Sequence, residues 1–332
     1  MNLTTEAGFR DLVRRFWSGL EGARSSARFT NIEGGGIEQQ RDGRLQLHHC
    51  ANYAAALSLL AGRGPGLKML ELGCGSGALS CTLARLVPPG WHLTATDYSA
   101  ALIEHARGSH VADNLCFETL DLRAAEPGRL AGFDVVLFLE VIEHLPQEEA
   151  RRLLRTLHAG LAPGACLVLS TLDRTPFPRP FSGYAPHRIE YTAESLHGFL
   201  GDPGNNPFER FRLFRLVSPR IASEAVRAEQ RGGYFVNRVQ RAVSRAAERS
   251  RLVRGLHGLV LAAGFRLYGR MPGRRALDLD EYLGTMELAS ELPLARGTES
   301  FGLVALLERG KNPRRKSAAP GPKICPPVEK RR

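Results

Sequence analysis

Between residues 67 and 171, five short apolar runs alternate with segments of helical periodicity, and this alternation constrains the fold more than any other feature. LKMLELG (67–73) is apolar and ends in glycine. WHLTATD (91–97), NLCFETLDL (114–122), the opening of FDVVLFLEVIEHL (133–145) and APGACLVLST (162–171) repeat the theme. Such runs, apolar almost throughout, mark strands buried on both faces. Between them, ALSCTLARLV (78–87) is stopped by Pro88-Pro89-Gly90. SAALIEHARG (99–108) has a serine start and a glycine stop, and PQEEARRLLRTLHAGL (146–161) has Pro and acids in its first turn. An α/β fold follows, with a parallel sheet and helices on both faces.

The flanks divide the chain further. Phe9, Leu12, Val13, Phe16, Trp17 and Leu20 recur at helical spacing over 6–20. Residues 31–46 read as a Gly- and Gln-rich loop and 50–62 as a second helix, so 1–64 is an N-terminal helical segment. The core spans 65–218. It includes a Pro-rich loop (175–187), a helix from Thr192, and a sixth strand within FERFRLFRLVS (208–218). Thr192 is a good N-cap, but Ser195 stands where an acid or Gln would complete a capping box. A basic helical insertion fills 219–298, ESFGLVALLER supplies a last core strand over 299–310, and 311–332 is expected to be disordered.

Charge follows these divisions. The chain of 332 residues carries +11, but residues 202–275 alone hold sixteen Arg against five acids. Residues 311–332 hold eight Lys/Arg against one Glu, leaving the remainder at −7. An acidic core with two basic appendages is unlike a uniformly basic nucleic-acid binder, and fits an enzyme with a basic lid or surface anchor. No apolar run is long enough to span a membrane and the N-terminus lacks a secretory h-region, so a cytoplasmic location is expected. The six cysteines show no CxxC spacing and are expected to be reduced thiols.

Glu71-Leu72-Gly73-Cys74-Gly75-Ser76-Gly77 follows the first strand and opens the first helix of the core. Glycine is needed where backbone turns tightly and approaches a ligand without a Cβ in the way. With Ala78 the motif also satisfies the looser dinucleotide fingerprint, so a nicotinamide-nucleotide, NAD(P)-dependent oxidoreductase stays open. A Gly-rich turn without a ligand is the plainer alternative. Asp97 ends the second strand, Asp121 the third and Glu140 the fourth, at the edge where ligands bind in such sheets. Each alone could be a solvated loop acid or a helix cap. Together they suit a sulfonium nucleoside better than a pyrophosphate.

ELGCGSG, the strand-end Asp97, LDL (120–122) and the LAPGA turn (161–165) together resemble class I S-adenosylmethionine-dependent methyltransferases. The resemblance covers roughly 65–200 and the final strand. It implies a Rossmann-like seven-stranded sheet with an antiparallel last strand. It also implies S-adenosyl-L-methionine as cofactor, with Glu71, Gly73, Gly75 and Gly77 at its methionine end. Asp97 would then hold the ribose, and Asp121 with Leu122 the adenine, while Glu140 lines the same pocket. Gly164-Ala165 stands where the family often has Gly-Gly.

Glu140-Val141-Ile142-Glu143-His144 can present two carboxylates and an imidazole to one side, and His187 lies in the loop after the fifth strand. These four are candidate ligands for a hard divalent metal, Mg or Mn. His144 and His187 are the candidate catalytic bases for an acceptor hydroxyl. A metal-free site, in which Glu143 merely caps the next helix, is the competing reading. EVIEHLP, LSTLDRT (169–175) and His187 with Tyr191 resemble ubiquinone-biosynthesis O-methyltransferases. E-x-x-E-H with His187-Arg188-Ile189-Glu190-Tyr191 also resembles small-RNA 3′-terminal 2′-O-methyltransferases, which use such residues as metal ligands. The chain departs from both in its insertion and C-terminus.

Gly232-Gly233 should interrupt any helix in the insertion, and 234–249 should form an amphipathic helix with an arginine-rich side. A lid over the acceptor, contact with an anionic membrane surface (221–275) and an RNA phosphate track are the three readings, in that order. O-methylation of a small-molecule or lipid-like acceptor is the expectation. RNA methylation, oxidoreduction and non-catalytic cofactor binding are the alternatives.

Overall fold

A computed structural model describes residues 6–23, 43–249, 277–290 and 299–310. Helices α1 (Glu6–Gly22) and α2 (Gly43–Leu59) precede the sheet. The core then runs β1 (Lys68–Leu72), α3 (Ala78–Leu86), β2 (His92–Asp97), α4 (Ala100–Ser109), β3 (Leu115–Thr119), α5 (Pro127–Leu130), β4 (Val135–Leu139), α6 (Gln147–Gly160) and β5 (Cys166–Leu172). After it come α7 (Ala193–Gly201), β6 (Arg210–Val217), α8 (Pro219–Ala228), α9 (Tyr234–Arg249), α10 (Leu279–Gly284), β7 (Glu287–Ser290) and β8 (Ser300–Glu308). One sheet of eight strands has the order β3-β2-β1-β4-β5-β8-β6-β7. The first five strands are parallel; β8 is antiparallel to both neighbours, β5 and β6.

Successive strand residues feed two cores. Met69, Leu137 and Val168 pack with Phe16, Leu47, Ala54 and Leu57 of α1 and α2. Leu70, Val136 and Leu167 pack with Leu154 and Leu157 of α6 and Leu196 of α7. Burying a side chain such as Phe16 contributes about 2–3 kcal/mol. Helix α1 lies close on α3, where a Cβ on Gly19 would run into Thr82. The N-terminal helices therefore belong to the core and cover one sheet face.

Four expectations are corrected. The sheet has eight strands, because Glu287–Ser290 pairs antiparallel with β6 inside the stretch read as helical insertion; only four residues pair there, too few to show alternation. Helix α2 begins at Gly43, well before residue 50, because its polar Gln46, His48 and Asn52 are buried rather than solvated. The box at Thr192 is complete: its Oγ1 accepts from the Ser195 N–H (3.1 Å), and Ser195 Oγ accepts from the Thr192 N–H (2.9 Å). Cys50, Cys74, Cys81 and Cys166 are free thiols as expected, but Cys116 is disulfide-bonded.

The helix break at Gly232-Gly233 is present as a π turn (Glu229–Gly233) with Gly232 at φ 120°. Residues 31–42 of the expected 31–46 loop, the apolar stretch 256–269 and the tail 311–332 lie outside the described residues. Among the described residues, no helix is long and apolar enough to cross a membrane.

Candidate active site

The carboxyl ends of β1, β2 and β4 meet at one edge. Beyond β1 the chain turns through Gly73, Gly75 and Gly77, at φ 86°, 57° and 81°. That left-handed backbone favours glycine. The N–H groups of Gly73 and Cys74 both donate to the Thr96 carbonyl, at 2.7 and 2.8 Å. A Cβ on Gly73 would sit 2.7 Å from Val141 Cγ2. Asp97 braces the turn: Oδ2 accepts from the Gly75 N–H (3.0 Å) and Oδ1 from the Ser99 N–H (2.9 Å). Burial raises the Asp97 carboxyl above the usual aspartate range, against hydrogen bonds that lower it.

Glu71 lies behind the turn, fully enclosed. Tyr53 of α2 donates its hydroxyl to Glu71 Oε1. Burial pushes the Glu71 carboxyl up to about 7, and proximity to Asp97 adds to it. Asp121 stands at the same edge beyond β3, half-exposed. Its carboxylate is already forked by the Arg123 guanidinium, with Nη2 at 2.7 Å, which lowers its pKa. Leu122 beside it is half-buried.

At the end of β4, Glu140 adopts φ 56°, the only positive φ outside glycine among the described residues. Its side chain is gripped by α2 and β5. His48 Nε2 is 2.8 Å away as an ion pair, Asn52 Nδ2 donates at 3.0 Å and Ser170 Oγ at 3.2 Å. Burial works to raise this carboxyl, but His48, His49 and His187 together outweigh it and hold Glu140 low. Next to it, burial lowers His49 to about 4, so that ring is neutral at physiological pH.

A short 3-10 turn (Ile142–His144) follows. Glu143 is buried and its Oε2 accepts from Thr171 Oγ1 at 2.9 Å. Burial, then the neighbouring Glu140 charge, push Glu143 well above the usual carboxylate range. The two carboxylates are thus driven apart, a common feature of sites that handle protons. The Glu143 carbonyl accepts from the N–H groups of Arg188 (2.7 Å) and Ile189 (3.2 Å). Those bonds dock the downstream loop on the turn, bringing the His187 ring to 5.0 Å from that of His144. Ligand atoms of Glu143, His144 and His187 all lie within 4.8 Å of one another. Glu140 stands outside this group, committed to His48 and Asn52.

Four residues of α2 were not legible as site residues: His48, His49, Asn52 and Tyr53. Their signal was His48 and Asn52 four apart on an otherwise apolar face, a spacing that puts both on one side of a helix. Glu190, which holds His187, was visible only as part of a pattern.

Residues 70–167 match a family model described as a methyltransferase domain. The matched stretch is about a third of the chain. It carries the glycine turn, Asp97, Asp121 and the Glu140–His144 segment; His187 and the helices that grip Glu140 lie outside it. The chain is 39% identical over 130 residues to a ubiquinone biosynthesis O-methyltransferase of Xanthomonas campestris pv. campestris (strain B100), covering 38% of this chain and 49% of that protein. A protein of the same description from Xanthomonas euvesicatoria pv. vesicatoria is 38% identical over 116 residues, covering 33% and 45%. The match thus spans about half the length of these relatives. Among solved structures, coclaurine N-methyltransferase has a TM-score of 0.48 at 16% identity, covering 90% of this chain and 87% of that one. Phosphoethanolamine N-methyltransferase 2 of Haemonchus contortus scores 0.47 at 12% identity, covering 93% and 58%.

Proposed function

We propose that this chain is an S-adenosylmethionine-dependent methyltransferase acting on an oxygen of a small or lipid-like acceptor. The observation that carries the reading is the meeting, at one sheet edge, of the Asp97-braced glycine turn and the Glu143, His144 and His187 cluster. S-adenosylmethionine supplies a methyl sulfonium. The turn at Gly73, Gly75 and Gly77 gives it backbone without side chains, Glu71 stands behind the methionine end, and Asp97 faces the ribose. Asp121 and Leu122 flank the adenine. The relatives named for ubiquinone biosynthesis support an oxygen acceptor.

An acceptor hydroxyl must lose its proton as the new bond forms. His144 and His187 are the groups placed to take it, and positioning in line with the sulfonium supplies much of the remaining acceleration. One carboxylate and two imidazoles within 4.8 Å also fit a divalent cation, and two nitrogen donors suit Mn better than Mg. Held by Glu143, His144 and His187, such an ion would lower the pKa of an acceptor oxygen. Glu140, one of the four ligands first considered, fits the role of orienting α2 against the site instead.

The basic insertion fits a lid that also meets an anionic lipid surface. On α9, Phe235 is 70% exposed and Val239 41%, one helical turn apart, beside Arg238.

Methyl-labelled S-adenosylmethionine and a cell lysate, with and without chelator, test the reading. Label in organic-extractable or small-molecule fractions is the expected result, and loss of label with chelator supports the cation. Label in RNA overturns the acceptor class in favour of terminal ribose methylation. Binding of NAD(P) without S-adenosylmethionine overturns the function, and cofactor binding without turnover reduces the chain to a binding protein.

A further inference from the structure

His187 is fixed by a carboxylate that the methyl-transfer chemistry does not use. Its Nδ1 lies 2.6 Å from Glu190 Oε1. Glu190 also accepts from the Ser182 N–H (2.7 Å) and from the Ser182 hydroxyl. Behind Glu190 stands Arg174, only 2% exposed, whose Nε forms an ion pair with Glu190 Oε2 at 3.2 Å. The same guanidinium grips Glu229 from the insertion, with Nη1 to Oε2 at 2.7 Å and Nη2 to Oε1 at 3.1 Å. Glu229 opens the π turn between α8 and α9.

The insertion grips the same loop elsewhere. Asn237 Nδ2 donates to the Ser182 carbonyl (3.2 Å), and Arg179 stacks over Tyr234 at 4.2 Å. Arg241 lies over Phe181 at 4.6 Å. Gly183 leaves little room, since a Cβ there would meet Arg238 Cγ at 3.3 Å. A buried guanidinium between two carboxylates is costly to leave half-paired. Its planar fork satisfies both only in a narrow range of positions, which a lysine could not do.

We propose that the insertion positions His187, through the buried chain Glu229–Arg174–Glu190–His187. Glu190 accepts from His187 Nδ1–H, which leaves Nε2 as the lone-pair nitrogen of the ring. Arg174 sets where Glu190 can stand, and Glu229 sets where Arg174 can stand. The three are positioning residues, and seating of the insertion fixes the tautomer and orientation of the site imidazole. The consequence for catalysis rests on the proposed function; the tautomer does not.

The test uses the full chain with histidine-selective nitrogen-15 labelling, read by NMR at about pH 8. Wild type should show His187 protonated at Nδ1 and not at Nε2. E229Q removes a charge three links from the imidazole. It should give a mixture of His187 tautomers and lower kcat about tenfold with KM for S-adenosylmethionine unchanged, and E229D should restore most of that loss. A wild-type ring protonated at Nε2 instead overturns the proposal, even if E229Q fails to fold. So does an E229Q protein with an unaltered His187 signature, whatever its melting temperature. If the chain transfers no methyl group, the proposed function fails while the tautomer still decides this inference.

Discussion

Glu71 is enclosed by β1, β2 and α2, with a tyrosine hydroxyl on one oxygen and a carboxyl pKa near 7 instead of 4.5. Native protein therefore keeps this proton where unfolded chain has lost it. The contribution of Glu71 to stability is greatest below about pH 4.5, falls as pH rises, and reaches its low plateau above about pH 7. The span corresponds to about 3 kcal/mol. Glu71→Gln should abolish that dependence and gain stability at neutral pH. Denaturant titrations of both proteins from pH 4.5 to 7.5 check it, since other titrating groups cancel in the difference; parallel curves would sink the idea. Glu140 offers the opposite case, a buried carboxylate kept ionised by its neighbours. His48→Ala should cost about 3 kcal/mol by stripping that charge of its main partner, the low end of the range because Asn52 and Ser170 remain. An unchanged urea midpoint would show that the charge is compensated elsewhere.

At the scale of elements, the glycine turn is the most constrained piece. Gly73→Ala puts a methyl group into Val141 and forces an L-residue to φ 86°. A loss of about 1–3 kcal/mol follows, with at least a tenfold weaker S-adenosylmethionine affinity by calorimetry. Equal affinity would show that the turn does not carry the cofactor. Thr192→Ala, which removes one half of the reciprocal cap on α7, should cost about 1 kcal/mol in thermal melts. The parallel strands and their helices were legible because each strand is buried on both faces and reads as an apolar run. The turn and strand-end acids were legible because parallel strands place their carboxyl ends on one edge. Helix α2 was half legible: a helix that buries Gln46, His48 and Asn52 among its apolar residues loses the polar stripe that reveals an amphipathic one. His48 and Tyr53 became site residues only through folding, which laid α2 across the ends of β1 and β4.

For the whole molecule, the separation of charge matters more than its sum. An acidic body and an arginine-rich insertion with exposed Phe235 and Val239 should bind anionic vesicles more strongly than neutral ones. Co-sedimentation should weaken as salt rises from about 0.05 to 0.5 M, and Phe235→Ser should reduce it further. Equal binding to neutral vesicles would remove the electrostatic part of that reading.

The seat of β8 between β5 and β6 has a consequence for synthesis. As the chain leaves the ribosome, each of β2 to β5 can add beside a strand already made. β6 then emerges with no permanent neighbour, because the place next to β5 is reserved for a strand that appears roughly 80 residues later. Until then β5 has an open edge and β6 waits beside it, the condition in which unpaired strand edges invite aggregation. The nascent protein is therefore most vulnerable late, and its sheet becomes continuous only when residues 300–308 slide into the gap.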